Sequence, residues 1–158
     1  MKTIIVTLRA GKDSRGFSLF ELVLVLLLLG VSMAIVLPNV RQGLQDREVR
    51  NSALGLAAAA RDLRSKALSG GVVQQLVVNL PENSYLAARA AEVRLPPDVS
   101  FVAVGGGETV NRDLKRFYFF PNGSTLGGEI VLADSAGSAS YLVRLEALTG
   151  RVEVARAN

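Results

Sequence analysis

The sequence contains no cysteine and no histidine. Without cysteine the chain can form neither a disulfide nor a thiolate metal site, so its fold depends on packing and hydrogen bonds. Serine–histidine and cysteine–histidine nucleophile pairs are excluded within the chain, as are zinc sites of ordinary ligand type. Carboxylate, lysine and hydroxyl groups remain, but no pair of them has a spacing that indicates catalysis. We therefore expect a protein that is not an enzyme, with no catalytic residue, no cofactor and no metal site.

Charge is absent from a long apolar run between Leu22 and Val40. The segment from Phe17 to Leu37 has 21 residues, which as a helix reaches about 31 Å, close to the hydrocarbon thickness of a bilayer. Four basic residues and one acidic residue precede it: Lys2, Arg9, Lys12, Arg15 and Asp13. An excess of basic residues marks the cytoplasmic side of a span. The pattern predicts a single-pass protein with residues 39–158 exported.

Most of the positive charge lies in the first 16 residues. The whole chain has 18 basic and 14 acidic residues, net +4, and residues 17–158 have 14 and 13, net +1. Bulk charge therefore gives little support for a nucleic acid as partner of the exported part.

Glu21 stands at the head of the apolar run, where a carboxylate in lipid is costly and indicates a function. Two readings of this N-terminal region compete with a functional carboxylate. One is an ordinary secretory signal, with Ser32-Met33-Ala34 as a small-x-small cleavage site. The other is a single-span anchor that is never processed.

The residues around Glu21 resemble the class III leader of type IV pilins and type II secretion pseudopilins. A short basic leader and an apolar helix flank the matching residues, Gly16-Phe17-Ser18-Leu19-Phe20-Glu21. The resemblance implies that a prepilin peptidase removes the leader, residues 1–16, by cutting between Gly16 and Phe17, and that it methylates the new N-terminus of Phe17. Residues 17–38 then remain as the transmembrane and assembly half of a long helix.

In a helical assembly of such anchors, the new ammonium group at Phe17 and the Glu21 carboxylate of the same or a neighbouring subunit can neutralise each other in lipid. Glu21 would then set the register between subunits. Pro38 removes a backbone donor and predicts a helix kink; a proline tolerated at the membrane exit is the alternative.

Beyond Pro38, apolar residues recur at helical spacing to about residue 68, and Ser69-Gly70-Gly71 ends the helix. The predicted buried seam comprises Val40, Leu44, Val49, Ala53, Leu56, Ala60, Leu63 and Ala67. From residue 72 to 156 the pattern predicts strands at 72–80, 99–104, 114–120, 129–133, 140–146 and 151–155, with 85–93 open between helix and strand. Asn122-Gly123 predicts a hairpin between the third and fourth of these strands. The fold class is α+β: a pilin-like protein whose long N-terminal helix packs on a C-terminal antiparallel β-sheet.

Three features of this half could carry chemistry. The glycine triplet 105–107 lacks the lysine and hydroxyl of a phosphate loop, so a flexible loop running to about residue 112 is expected. Asp134 lies among turn oxygens without the ligand spacing of a calcium loop. Arg112, Lys115 and Arg116 adjoin Phe117 and Tyr118 and could contact DNA. The favoured interpretation is that the aromatic side chains alternate into the sheet core and that the basic side chains are solvated.

The C-terminal half resembles the H-type minor pseudopilins and their relatives, the FimT-type minor pilins. The matching stretches are 119–124, 127–132 and 145–154, which includes Thr149-Gly150-Arg151-Val152. The resemblance implies a structural subunit of a type II secretion pseudopilus, anchored in the inner membrane with a periplasmic domain. Its implied partners are the prepilin peptidase, other major and minor pseudopilins, and exported proteins. A FimT-like minor pilin that takes part in pilus assembly or DNA uptake is the alternative.

Overall fold

The computed structural model describes residues 18–87 and 91–157, and for residues 35–43 it describes the backbone alone. The chain divides into two compact units on either side of the bond between Pro38 and Asn39. We predicted a functional division at the same point, with the first part embedded in lipid. This functional division stays a prediction.

One helix, α1, runs from Leu19 to Gly70. Six of the eight predicted seam residues are buried: Val49, Ala53, Leu56, Ala60, Leu63 and Ala67. The prediction is wrong at Leu44, which is 55% exposed, because a step of five residues to Val49 rotates a side chain by about 140° around the helix. The side chain of Val40 lies outside the described residues.

The helix ends as predicted at its glycines. Gly71 has a φ of 65°, and its N–H donates to the Ala67 carbonyl at 3.0 Å. A residue in the left-handed conformation just after a helix can satisfy a carbonyl of the last turn in this way, and glycine adopts that conformation without a steric penalty.

Nine strands follow in the described residues, and every pairing between them is antiparallel. They are β1 (Gln74–Asn79), β2 (Ser84–Ala87), β3 (Val93–Arg94), β4 (Val99–Gly106), β5 (Glu108–Thr109), β6 (Leu114–Phe119), β7 (Gly128–Asp134), β8 (Ser140–Leu145) and β9 (Val152–Arg156). They form a five-stranded sheet in the order β3-β2-β1-β6-β5 and a four-stranded sheet in the order β4-β7-β8-β9. The α+β fold class is confirmed, although the strands lie in two sheets rather than one.

The predicted hairpin between β6 and β7 is wrong. The Asn122-Gly123 turn itself is present, because the Gly123 N–H donates to the Phe120 carbonyl at 2.9 Å. Beyond it Phe119 of β6 forms an isolated bridge with Thr125, which precedes β7, and the Thr125 N–H donates to the Ala147 carbonyl at 2.8 Å. The chain therefore leaves the first sheet and enters the second.

Two further segments differ from expectation. Of the predicted loop at 105–112, Gly105 and Gly106 extend β4, and residues 108–109 form β5. The sequence did not decide between helix and strand for residues 85–93. The first of these residues belong to β2, which pairs with β1 as a hairpin; residues 88–90 lie outside the described part. Short edge strands such as β5 have too few residues for a recognisable period.

One hydrophobic cluster joins α1 to both sheets. It contains the buried side chains of α1 from Val49 onward together with Phe117 and Phe119 of β6 and Ile130 and Leu132 of β7. Because these side chains come from elements far apart in sequence, the helix segment in this cluster and the two sheets are stabilised together.

Leu56→Ala should reduce the free energy of unfolding by about 2–5 kcal/mol, because a fully buried leucine leaves a cavity when it is truncated. Leu54→Ala is the matched control, since Leu54 lies on the same helix and is 41% exposed. Urea unfolding of the full chain would measure both. Equal losses at the two positions would contradict the assigned face of the helix.

Candidate functional site

The described part of the N-terminal site begins at Ser18. Gly16 and Phe17, the predicted cleavage and methylation residues, lie outside the described residues. The Leu22 N–H donates to the Ser18 carbonyl at 3.1 Å, which makes Ser18 the residue before the helix. Glu21 is exposed in the first turn. This Ser-x-x-Glu spacing is that of a capping box, in which the glutamate favours the helix N-terminus. The Ser18–Glu21 spacing is visible in the sequence itself, so this match could be predicted without the structure.

The helix surface after Glu21 is apolar and exposed. All described side chains from Ser18 to Ala34 are exposed, including those of Phe20, Leu24 and Met33. An exposed apolar surface of this extent marks an interaction site. Among the described residues, the structure contains no helix whose apolar part is long enough to cross a membrane.

Pro38 lies within α1, whose backbone is helical on both sides of it. Its side chain lies outside the described residues. The predicted kink stays a prediction.

The C-terminal residues that carry the pseudopilin resemblance contact the second half of α1. The Arg64 Nε donates to the Gly123 carbonyl at 3.1 Å, and Arg61 Nη2 donates to the Val152 carbonyl at 2.8 Å. A Cβ on Gly150 would lie 2.1 Å from the Gly123 oxygen and 2.8 Å from Arg64 Nε. The two turns therefore pack against each other and against the helix, and their glycines have a structural role.

The glycine triplet has a packing role as well. A Cβ on Gly106 would lie 2.6 Å from the Gly127 oxygen, and a Cβ on Gly128 would lie 2.5 Å from the Gly105 oxygen. The ends of β4 and β7 approach so closely that side chains do not fit between them. The predicted flexible loop is therefore wrong for Gly105 and Gly106.

The basic residues beside the sheet are largely engaged within the chain. Arg116 Nη1 lies 3.7 Å from a Glu108 carboxylate oxygen and 3.1 Å from the Tyr118 hydroxyl. Lys115 Nζ donates to Thr109 at 2.6 Å, and Phe117 is fully buried. Phe117 enters the core as predicted, while Lys115 and Arg116 contact β5 and remain partly exposed to solvent. That nucleic acid is not a partner stays a prediction.

Asp134 closes the turn between β7 and β8. Its carboxylate accepts hydrogen bonds from the Ser138 hydroxyl at 2.6 Å and from the Ala139 N–H at 2.9 Å. Burial by itself raises the pKa of Asp134, but these hydrogen bonds to the charged form outweigh burial and hold the pKa below its ordinary value. The carboxylate therefore stabilises a turn, and its oxygens are already engaged.

Asp134→Asn should destabilise the fold by about 1–2 kcal/mol at neutral pH, because charge-assisted hydrogen bonds are lost. The folded pKa lies below the unfolded value, so the contribution is present above the unfolded pKa of about 4 and is lost as the pH falls through the folded pKa. Urea unfolding of the full chain at a series of acidic pH values would show a weaker pH dependence in the variant. Asp98→Asn, at an exposed position, is the control, and an equal effect there would refute the role of Asp134.

A long N-terminal helix on antiparallel sheets, with an exposed apolar first part headed by a glutamate, defines a pilin-like protein. Residues 11–37 match the family described as Prokaryotic N-terminal methylation motif. The chain is similar to Type II secretion system protein H of Xanthomonas campestris pv. campestris, with 25% identity over 142 residues that cover 89% of this chain and 83% of the relative.

The fold is similar to that of the minor pseudopilin EpsH from the Type 2 Secretion System of Vibrio cholerae. The TM-score is 0.57 at 10% identity, and the match covers 69% of this chain and 97% of that one. The resemblance to H-type minor pseudopilins with a prepilin methylation motif is thus confirmed.

Proposed function

We propose that the protein is a minor pseudopilin of a type II secretion system. It acts as a structural subunit and not as an enzyme. Residues 17–38 anchor it in the inner membrane, and its second unit lies in the periplasm. After prepilin peptidase has removed residues 1–16 and methylated Phe17, the chain joins other major and minor pseudopilins in a pseudopilus that supports the export of folded proteins.

The combination of two similarities carries this proposal. The methylation motif at residues 11–37 coincides with the leader and the apolar part of the helix, and the similarity to protein H extends over most of the chain. A methylation motif alone would fit any pilin-like protein, and the fold alone would not indicate a secretion system. Together they favour the pseudopilin over the FimT-like minor pilin.

The exposed apolar part of α1 is the proposed assembly surface. In the membrane lipid would cover it, and in the pseudopilus the helices of neighbouring subunits would cover it, so the same side chains serve both states. Glu21, at the head of this surface, is the proposed register residue, because a counter-charge must accompany a carboxylate in an apolar environment.

The mature N-terminus tests the processing step. In cells with a type II secretion system, mass spectrometry of the intact chain should show loss of residues 1–16 and one added methyl group on Phe17. Gly16→Val should block the cut, because the side chain hinders the close approach of a protease to the backbone. Gly30→Val is the control, since no atom lies within 4 Å of a Cβ at Gly30. A mature chain that keeps Met1, or one that begins at Ile35, would refute the proposal.

A further inference from the structure

A groove of about 370 Å³ lies between α1 and β3, apart from the proposed assembly surface. Its helix wall consists of Glu48, Asn51, Ser52 and Gly55, whose spacing of three, four and seven residues places them on one face of the helix. The opposite wall is formed by β3 and the two residues that follow it. The groove is therefore a cleft between a helix and a sheet edge.

Tyr85 lines this groove with a hydroxyl that hydrogen-bonds to none of the other described residues. The residue is only 6% exposed, and the groove that it lines leaves its hydroxyl able to donate to an occupant. A Cβ on Gly55 would lie 3.7 Å from the Tyr85 hydroxyl oxygen, so a larger side chain at Gly55 would fill the space in front of it. Burial raises the pKa of Tyr85, and the hydroxyl therefore keeps its proton and can donate.

The sheet edge at the groove also has unpaired backbone groups. β3 is the last strand of its sheet in the described residues and pairs with β2 alone. The Leu95 N–H donates to the Asn83 carbonyl at 2.9 Å, which makes the neighbouring pair of Ser84 and Arg94 a non-hydrogen-bonded pair of the ladder. The N–H and C=O of Arg94 therefore point away from β2, toward the open edge.

The two walls carry opposite charges. Glu48 stands on the helix wall and Arg94 on the strand wall, and both side chains are exposed. Neither forms a salt bridge with another described residue. An occupant with a basic group toward α1 and an acidic group toward β3 would match both.

We propose that this groove binds an extended segment of a partner protein, which adds a strand to the edge of β3. The backbone of this segment pairs with the N–H and C=O of Arg94, and one of its carbonyl groups accepts a hydrogen bond from the Tyr85 hydroxyl. A basic side chain of the segment pairs with Glu48, and an acidic side chain pairs with Arg94. A peptide in strand form suits such a site, because main-chain hydrogen bonds supply affinity and the side chains supply specificity. The inference does not depend on membrane anchoring or on secretion.

Selection of displayed random decapeptides against the full chain in detergent micelles tests the proposal. Selected peptides should carry a basic and an acidic residue. Gly55→Leu should lower their affinity at least tenfold, because the side chain fills the groove, whereas Ala58→Leu, one turn further along the exposed helix face, should change it less than twofold. Leucine favours helix over glycine, so the fold should persist, and circular dichroism would verify it.

Two more measurements separate strand addition from other binding. Tyr85→Phe should weaken binding about fivefold, the usual effect of one hydrogen bond. Peptides N-methylated at the residue that pairs with Arg94 should lose binding, while methylation of the next residue should be tolerated, because alternate N–H groups face the edge. The proposal is overturned if no selected peptide is sensitive to Gly55→Leu, or if N-methylation at every position is tolerated.

Discussion

Gly150→Ala should prevent the second unit, Asn39–Asn158, from folding. Gly150 has a φ of 61°, a conformation that costs a residue with a Cβ about 1–2 kcal/mol. The added Cβ would also lie 2.1 Å from the Gly123 oxygen and 3.0 Å from Arg64 Cδ, and neither turn can move without breaking its contact with the helix. We expect a total loss of roughly 4 kcal/mol or more, a large fraction of the stability of an ordinary domain.

Gly137→Ala provides the control for this experiment. Gly137 has a similar φ of 69°, but no atom lies within 4 Å of its Cβ position. Both variants carry the cost of the left-handed backbone conformation, so the difference between their free energies of unfolding measures the steric clash at Gly150 alone. Soluble yield, circular dichroism and urea unfolding of the full chain would measure it, and similar losses in the two variants would refute the close packing of the two turns.

Glu21→Ala should reduce incorporation of the chain into pseudopili tenfold or more. Under the proposed function, the carboxylate neutralises the ammonium group at Phe17 inside an apolar bundle, and an unpaired charge there costs about 2.5 kcal/mol or more. The amount of protein in sheared pseudopilus fractions, relative to the amount in the membrane, measures the effect. Asp62→Ala, at an exposed acidic residue of the same helix, should incorporate normally.

Glu21→Gln separates charge pairing from helix capping. Glutamine serves in a capping box almost as glutamate does, but it carries no charge. If Glu21 sets the register through its charge, the glutamine variant should fail as the alanine variant does. Normal incorporation of Glu21→Gln would show that Glu21 acts only on the start of the helix.

The sequence was sufficient to predict the helix, its glycine end and most strands, because these depend on neighbouring residues. The seam of α1 from Val49 to Ala67 follows from local periodicity, and so does the turn at Asn122-Gly123. The partner of β7 could not be predicted in this way. The pairing of β7 with β4 requires the backbones of Gly106 and Gly128 to approach closely. The two residues are distant in sequence, so no local pattern shows whether the strands form one sheet or two.

The same distinction, between features set by neighbouring residues and features set by tertiary structure, applies to the candidate sites. Glu21 could be identified because a single charge at the head of an apolar run is visible in the sequence. The groove beside β3 could not, since Glu48, Tyr85 and Arg94 come from three separate elements. The hydrogen bonds of Arg61 and Arg64 to distant turns depend on tertiary structure alone, so the sequence could not show them.

The contact between Arg61 and the start of β9 has a consequence for the timing of folding. Val152, whose carbonyl accepts this hydrogen bond, lies 91 residues beyond Arg61 and is buried among side chains of the common cluster. The helix is synthesised first, but residues that cover its apolar seam, such as Val152, are synthesised much later. Such long-range contacts slow folding, so the seam stays partly uncovered for longer than in a fold built from local contacts.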